Sequence, residues 1–298
     1  MTSSNSRETD MKQSTAEIIQ EYGPFPGVDG VHGVTYDGRR VWFASGDKLN
    51  ALDPASGATL RSIDVAAHAG TAFDGLHLYQ IAEDRIRKID PDTGRVLATI
   101  PAPGRGGDSG LAWAEGALWV GQYRDRRIHQ IDPETGAILR TIESNRFVTG
   151  VTWVDGELWH GTWENDESEL RRVDPHTGDV LEALGMPTGV GVSGLESDGG
   201  DRFFCGGGNS GKVRVVRRPA RDAAARADTG RAAGGLPWPG CGGHTGPDGR
   251  DNVESAVRRR RLSDRFAAPA IRARPCHRRG ARSNAHGLTT CRLDRMQE

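Results

Sequence analysis

The sequence predicts an all-β protein: a five-bladed β-propeller over residues 14–219, closed by an N-terminal strand in its last blade and followed by a disordered C-terminal tail. Three observations predict it. A turn motif recurs at blade-length intervals, a fifth unit lacks its last strand, and an unmatched strand at the opposite end of the chain can supply it.

The turn reads Asp53-Pro-Ala-Ser-Gly57, then Asp90-Pro-Asp-Thr-Gly94, Asp132-Pro-Glu-Thr-Gly136 and Asp174-Pro-His-Thr-Gly178, at intervals of 37, 42 and 42 residues. Pro fixes φ for the first turn position, Asp and Thr bond the local backbone, and Gly accepts positive φ. The motif is therefore a hairpin connector, and no chemistry is assigned to it. Matching strands flank each copy: KLNALD, RIRKID, RIHQID and ELRRVD before it, and ATLRSIDV, RVLATIP, AILRTIE and DVLEALG after it.

The fifth unit begins at Val192, supplies three strands and ends at Val213-Arg-Val-Val-Arg-Arg218 without the turn or a fourth strand. Residues 16–22 (AEIIQEY), followed by Gly-Pro-Phe-Pro, resemble the other fourth strands and their exits. Pairing this segment with the fifth unit closes the ring and removes an open sheet edge. Residues 1–13 are polar and are expected to be disordered.

With the four strands of a blade named a to d from the axis outward, the repeated turns are c–d connections. The d–a and b–c loops then share the opposite, variable face. Strand a opens with Val31-His32-Gly33, Ala69-Gly70-Thr71, Ser109-Gly110-Leu111, Thr149-Gly150-Val151 and Ser193-Gly194-Leu195. Each Gly lets inner strands crowd at the axis. The residue before it differs from blade to blade, which is where a pseudo-symmetric ring places specificity. Trp42, Trp119 and Trp159 recur in strand b, and Trp113 and Trp153 in strand a; all five are assigned to the packing between blades. The longest b–c insertion, Gly161-Thr-Trp-Glu-Asn-Asp-Glu-Ser-Glu169, reads either as a solvated acidic loop or as a lip for a cationic group, with Trp163 offering a π face.

Charge is nearly balanced, with 39 basic against 40 acidic residues, but it is split. Residues 219–298 carry 16 Arg and 8 acidic residues, and the first 218 carry 23 basic and 32 acidic. That tail is rich in Arg, Ala, Gly and Pro, shows no propeller period, and is expected to be disordered or to derive from a frameshift. Cys241, His244, Cys276 and His277 are metal-type residues there, but nothing periodic holds them together, so no zinc site is assigned. The Arg258–Arg261 run could bind nucleic acid and is read instead as part of a disordered basic segment. No apolar leader or membrane-length run is present, which leads to a cytoplasmic expectation. Walker, Rossmann, HExxH and GxSxG patterns are absent. Gly206-Gly-Gly-Asn-Ser-Gly211 is glycine-rich, but no helix is expected after it to complete a phosphate cradle.

Leu78-Tyr-Gln-Ile81, the repeated turns and Val154-Asp-Gly-Glu-Leu-Trp-His-Gly-Thr-Trp163 together resemble the bacterial and plant type of glutaminyl-peptide cyclotransferase, over about residues 16–218. The resemblance implies a five-bladed propeller that cyclises the N-terminal Gln of peptides to pyroglutamate and releases ammonia, with a carboxylate as general acid and base. The family's Glu-Gly-Leu in the second blade is replaced here by Ala69-Gly70-Thr71, and its Glu-Gly-Trp in the third by Ser109-Gly110-Leu111. Asp108 is the proposed substitute carboxylate, with His32 or His68 to shuttle a proton. Trp163 and Glu164 are expected to recognise the amine, and Gln80 and Tyr123 to line the mouth with His32.

A non-catalytic binding propeller is the alternative. A second resemblance, of His32-Gly-Val-Thr-Tyr-Asp-Gly38 with Val41-Trp-Phe43, is to virginiamycin B lyase propellers and implies metal-dependent lyase or hydrolase chemistry. No cofactor or metal is assigned. The expected partner is a peptide or small molecule at the variable face of a monomer, with neither membrane nor nucleic acid involved.

Overall fold

A computed structural model describes residues 11–220, and every described element is a strand or a turn. The expectations for residues 1–10 and for the tail from residue 221, including its Cys, His and Arg groups, lie outside the described residues. The chain opens with β1 (Lys12–Thr15) and β2 (Ile18–Tyr22). Blade 1 holds β3 (Val34–Tyr36), β4 (Val41–Leu52) and β5 (Thr59–Ala67). Blade 2 holds β6 (Thr71–Phe73), β7 (Leu78–Ala82), β8 (Arg85–Ile89) and β9 (Val96–Pro101). Blade 3 holds β10 (Asp108–Ala114), β11 (Ala117–Gln122), β12 (Arg127–Ile131) and β13 (Ile138–Glu143). Blade 4 holds β14 (Val148–Val154), β15 (Glu157–Thr162), β16 (Glu169–Val173) and β17 (Val180–Gly185), and blade 5 holds β18 (Leu195–Ser197), β19 (Arg202–Gly206) and β20 (Val213–Arg217). In blade 1 the single long β4 covers the positions that strands b and c occupy elsewhere.

The ring closes as the sequence predicts: β2 pairs antiparallel with β20 as the fourth strand of blade 5, with Tyr22 opposite Val213. Lys212 and Arg214 both reach Glu21 across this seam, at 2.9 and 2.7 Å. One expectation is corrected. Residues 12 and 13, assigned to a disordered start, belong to β1, which runs parallel to β17 on the outer edge of blade 4. This strand is exposed at all four positions and is held by main-chain bonds and a Lys12–Glu182 ion pair of 3.3 Å. An edge strand that buries no face carries no apolar alternation by which the sequence could reveal it.

Each repeated turn is tied by its Asp. Gly57, Gly94, Gly136 and Gly178 donate to the carbonyls of Asp53, Asp90, Asp132 and Asp174 at 2.7–2.9 Å, and each of these glycines has φ between 73 and 81°. Between the blades lie five apolar clusters, one for each neighbouring pair. Trp42, Trp119 and Trp159 are at most 1% exposed at their centres. Aromatic contacts cross from blade to blade: Tyr79 on Trp113 at 5.5 Å, Trp119 on Trp153 at 5.4 Å, and Tyr36 near Phe204 at 5.5 Å. Trp42, Trp119 and Trp159 are core, as expected, with Trp113 and Trp153 partly buried against the clusters, and truncating one of the three buried rings to Ala would cost about 3–5 kcal/mol.

The glycines at the axis form a closed ring. A Cβ on Gly33 would lie 2.2 Å from the Ala69 carbonyl oxygen, and one on Gly70 would lie 2.4 Å from the Leu111 nitrogen. The corresponding atoms for Gly110, Gly150 and Gly194 would lie 2.6 Å from the Thr149 carbonyl oxygen, 2.3 Å from the Leu195 nitrogen and 2.7 Å from the Val34 nitrogen. Each inner strand therefore rests on the backbone of the next, and the last returns to the first.

Two residues past Gly194, Glu196 ties three blades together. Its carboxylate accepts hydroxyl hydrogen bonds from Thr35 of blade 1 and Thr152 of blade 4, at 2.7 and 2.6 Å. Loss of hydration pushes its pKa from 4.5 up to about 7, against the pull of these hydroxyls. A raised folded-state value means that the protonated form is favoured by the fold. Its contribution is complete below about 4.5 and is lost as pH rises through about 7. Glu196→Gln stays neutral, so its melting temperature relative to wild type should climb between pH 5 and pH 8. A constant difference across that range in parallel melts would refute the assignment.

Candidate functional site

The five residues that precede the ring glycines, His32, Ala69, Ser109, Thr149 and Ser193, all line one cavity of about 530 Å³ at the axis. The same cavity takes His68 from a d–a loop, Asp108 from the start of β10, Tyr123 and Trp163 from b–c loops, and Gly207, Gly208, Asn209 and Ser210 from the glycine-rich loop. This is the variable face read from the sequence. Its volume suits a ligand of small-molecule or short-peptide size.

Asp108 opens β10 and is only 7% exposed. The preceding loop folds over it: the Gly104 N–H donates to both carboxylate oxygens at 2.9 Å. A side chain on Gly104 would collide with the carboxylate, at 2.6 Å from Oδ1. The turn is completed by Arg105 and Gly106 at φ of 49 and 98°, and by a Gly107 N–H bond to the Gly104 carbonyl. Burial lifts the Asp108 pKa from 3.8 to about 6, the Gly104 N–H pulls the other way, and the negative charge of Asp125 adds to the rise. A carboxyl poised there can both take and return a proton near neutrality. Behind it, the Gln122 amide oriented to satisfy its neighbours donates to Asp125 and His129 at 3.2 Å and accepts from Gly104 at 3.0 Å.

His32 is half-buried in the cavity wall. Burial, and then the neighbouring His68, lower its pKa, so it stands as a neutral imidazole able to accept a proton. Trp163 lies against Gly191, where a Cβ would meet the indole at 3.2 Å. The Tyr123 hydroxyl donates to the Trp163 carbonyl at 3.4 Å, and its ring packs on Phe147 at 4.9 Å. Asp108, His32, His68, Tyr123 and Trp163 thus share one cavity, as the sequence suggested.

Two expected site residues do not join them. Gln80 is fully buried: its amide donates to the Ala69 and Ile81 carbonyls at 3.0 and 2.7 Å and accepts from Thr71 at 2.6 Å. It is a clamp behind Ala69, with its polar groups engaged by the fold. Glu164 turns away to Arg126 of blade 3, at 2.5 Å, and does not line the cavity.

One lining residue escaped the sequence reading. Arg214 of β20 is 7% exposed and reaches the cavity beneath the glycine-rich loop. Its register with Cys205 matches that of Arg87 with Gln80, His129 with Val120 and Arg171 with His160, and Asn50 holds the corresponding place in β4. The signal was available: a polar residue recurs at this position in every strand before the turn. Among the described residues, no three His, Cys, Asp or Glu side chains converge to hold a metal ion. No helix of the described residues is long and apolar enough to cross a membrane.

Fold and cavity together define a five-bladed propeller with an axial cavity on its variable face. No family model matches the chain, and no curated protein matches it. Among solved structures, the crystal structure of Myxococcus xanthus glutaminyl cyclase is similar with a TM-score of 0.60 and 17% sequence identity, covering 72% of this chain and all of that one. At that identity the likeness establishes the shared fold.

Proposed function

We propose that this propeller cyclises the N-terminal glutaminyl residue of peptides to pyroglutamate with release of ammonia, acting as a cytoplasmic monomer without a cofactor. The observation that carries the reading is the carboxyl of Asp108, withdrawn from water at the cavity wall and titrating near 6. The fold shared with a glutaminyl cyclase supports it.

In this reading the neutral α-amine attacks the δ-carbon of its own side-chain amide, and a new C–N bond forms. Asp108 takes the proton that the amine loses. It returns that proton to the amide nitrogen as the old C–N bond breaks, so ammonia leaves and a lactam remains. Trp163 packs the amine end of the substrate, Tyr123 supports Trp163, and neutral His32 offers a second proton acceptor. The cavity holds amine and amide together, which supplies the rate advantage of a positioned reaction.

A binding propeller without catalysis is favoured by one observation: Ala69 occupies the place of the family's glutamate. The two readings separate on a Gln-initiated peptide and its N-acetylated twin, followed by mass spectrometry. The cyclase reading predicts loss of one ammonia from the free peptide alone. An unchanged free peptide, with the protein folded, would leave the binding reading.

A further inference from the structure

Resting on that reading of the cavity, we propose that Arg214 and the glycine-rich loop form a carboxylate subsite, so that the preferred substrates are short glutaminyl peptides with a free C-terminal carboxylate. Three observations carry this. First, Arg214 lines the cavity although its side chain is 92% withdrawn from solvent. Its Nε donates to Glu21 at 2.7 Å and its Nη2 to the Ser210 hydroxyl at 3.4 Å, whereas Nη1 makes no hydrogen bond among the described residues. Second, the loop is built around this guanidinium. A Cβ on Gly207 would lie 2.5 Å from Nη1, so glycine at 207 is what lets the group lie beneath the loop. Third, the charge behind this wall, at the β2–β20 seam, is unbalanced. Glu21 serves both Lys212 and Arg214, leaving one positive charge in excess.

A guanidinium fixed in a partly dry wall, with its Nη1 hydrogens free, can donate to a carboxylate. Asp108 and Trp163 belong to blades 3 and 4, and Arg214 to blade 5. A ligand that meets all three therefore spans the cavity, amine end toward the acid and carboxylate end toward Arg214. A cavity of about 530 Å³ sets the scale at two or three residues. Extending or amidating the C-terminus removes the group that Arg214 would hold.

The test compares glutaminyl-alanine with its C-terminal amide as substrates, and pyroglutamyl-alanine with its amide as unreactive ligands in calorimetry. Wild type should prefer the free acid by about tenfold or more in kcat/KM and in affinity. Arg214→Gln should erase that preference with Lys212–Glu21 left in place, and Arg214→Lys should retain part of it. Equal handling of acid and amide by wild type would overturn the proposal, as would a preference that survives in folded Arg214→Gln. Should that variant not fold, the wild-type comparison alone decides. Turnover without acid preference sinks only the subsite. Acid-selective binding of the lactam without any turnover sinks only the cyclase reading.

Discussion

Asp108→Asn is expected to lower kcat/KM for ammonia release by about 100-fold or more, a loss typical of removing a general acid–base group. Asparagine keeps the shape of the side chain, and its carbonyl can still accept the Gly104 N–H that holds Asp108 at 2.9 Å. What it cannot do is carry a proton between two nitrogens. Stability should not fall with activity. Because burial raises the Asp108 pKa to about 6, its ionised form costs folding energy above that pH, and its contribution to stability is lost as pH rises through 6. At pH 8 the neutral variant should melt at the wild-type temperature or above it. An Asp108→Asn protein that releases ammonia at more than a tenth of the wild-type rate would assign the chemistry elsewhere.

Gly70→Ala is the substitution expected to damage the fold most for its size. The added methyl carbon would sit 2.4 Å from the Leu111 nitrogen and 2.5 Å from the Gly110 carbonyl carbon. Both are backbone atoms of the next inner strand and cannot swing aside as a side chain would. Overpacking in cores costs about 1–3 kcal/mol when side chains can yield, and a rigid backbone neighbour puts this case at the upper end or beyond. For a domain of this size a melting temperature lower by roughly 10 °C follows. The damage should reach the site too, because Ala69 and Asp108 are carried on the two strands forced apart. Gly185→Ala is the matched control: its Cβ would meet only the Ser14 carbonyl oxygen, at 3.9 Å. Equal melting of the two variants would remove the steric account of the glycine ring.

The fold was legible because its repeats carry strong local signals. Asp, Pro and Gly in the c–d turns are dictated by backbone conformation, and the fourth strand missing after Arg218 is supplied by Ile18–Tyr22. The ring of residues before the axial glycines was legible for the same reason, and it led directly to the cavity. The misplacements have a common cause in contacts between distant segments. Glu164 looks free in its loop until Arg126, 38 residues earlier, comes alongside on the neighbouring blade. Gln80 looks like a mouth residue until Thr71 and the carbonyls of Ala69 and Ile81 use up its amide. Arg214 reads as one more strand residue until the glycines at 206–211 leave it an open path to the cavity. Pairing across blades is set by closure of the ring, which no single repeat encodes.

The pH dependence of kcat/KM for a glutaminyl peptide ties Asp108 to the reaction most directly. The free α-amine must be neutral to attack, so the logarithmic profile should fall with unit slope below its own pKa of about 7.7–8.0. Below about 6, where Asp108 becomes protonated and can no longer accept the proton, the slope should steepen to two. A profile that keeps unit slope down to pH 4.5, from protein shown to remain folded, would contradict a role for Asp108 as the base.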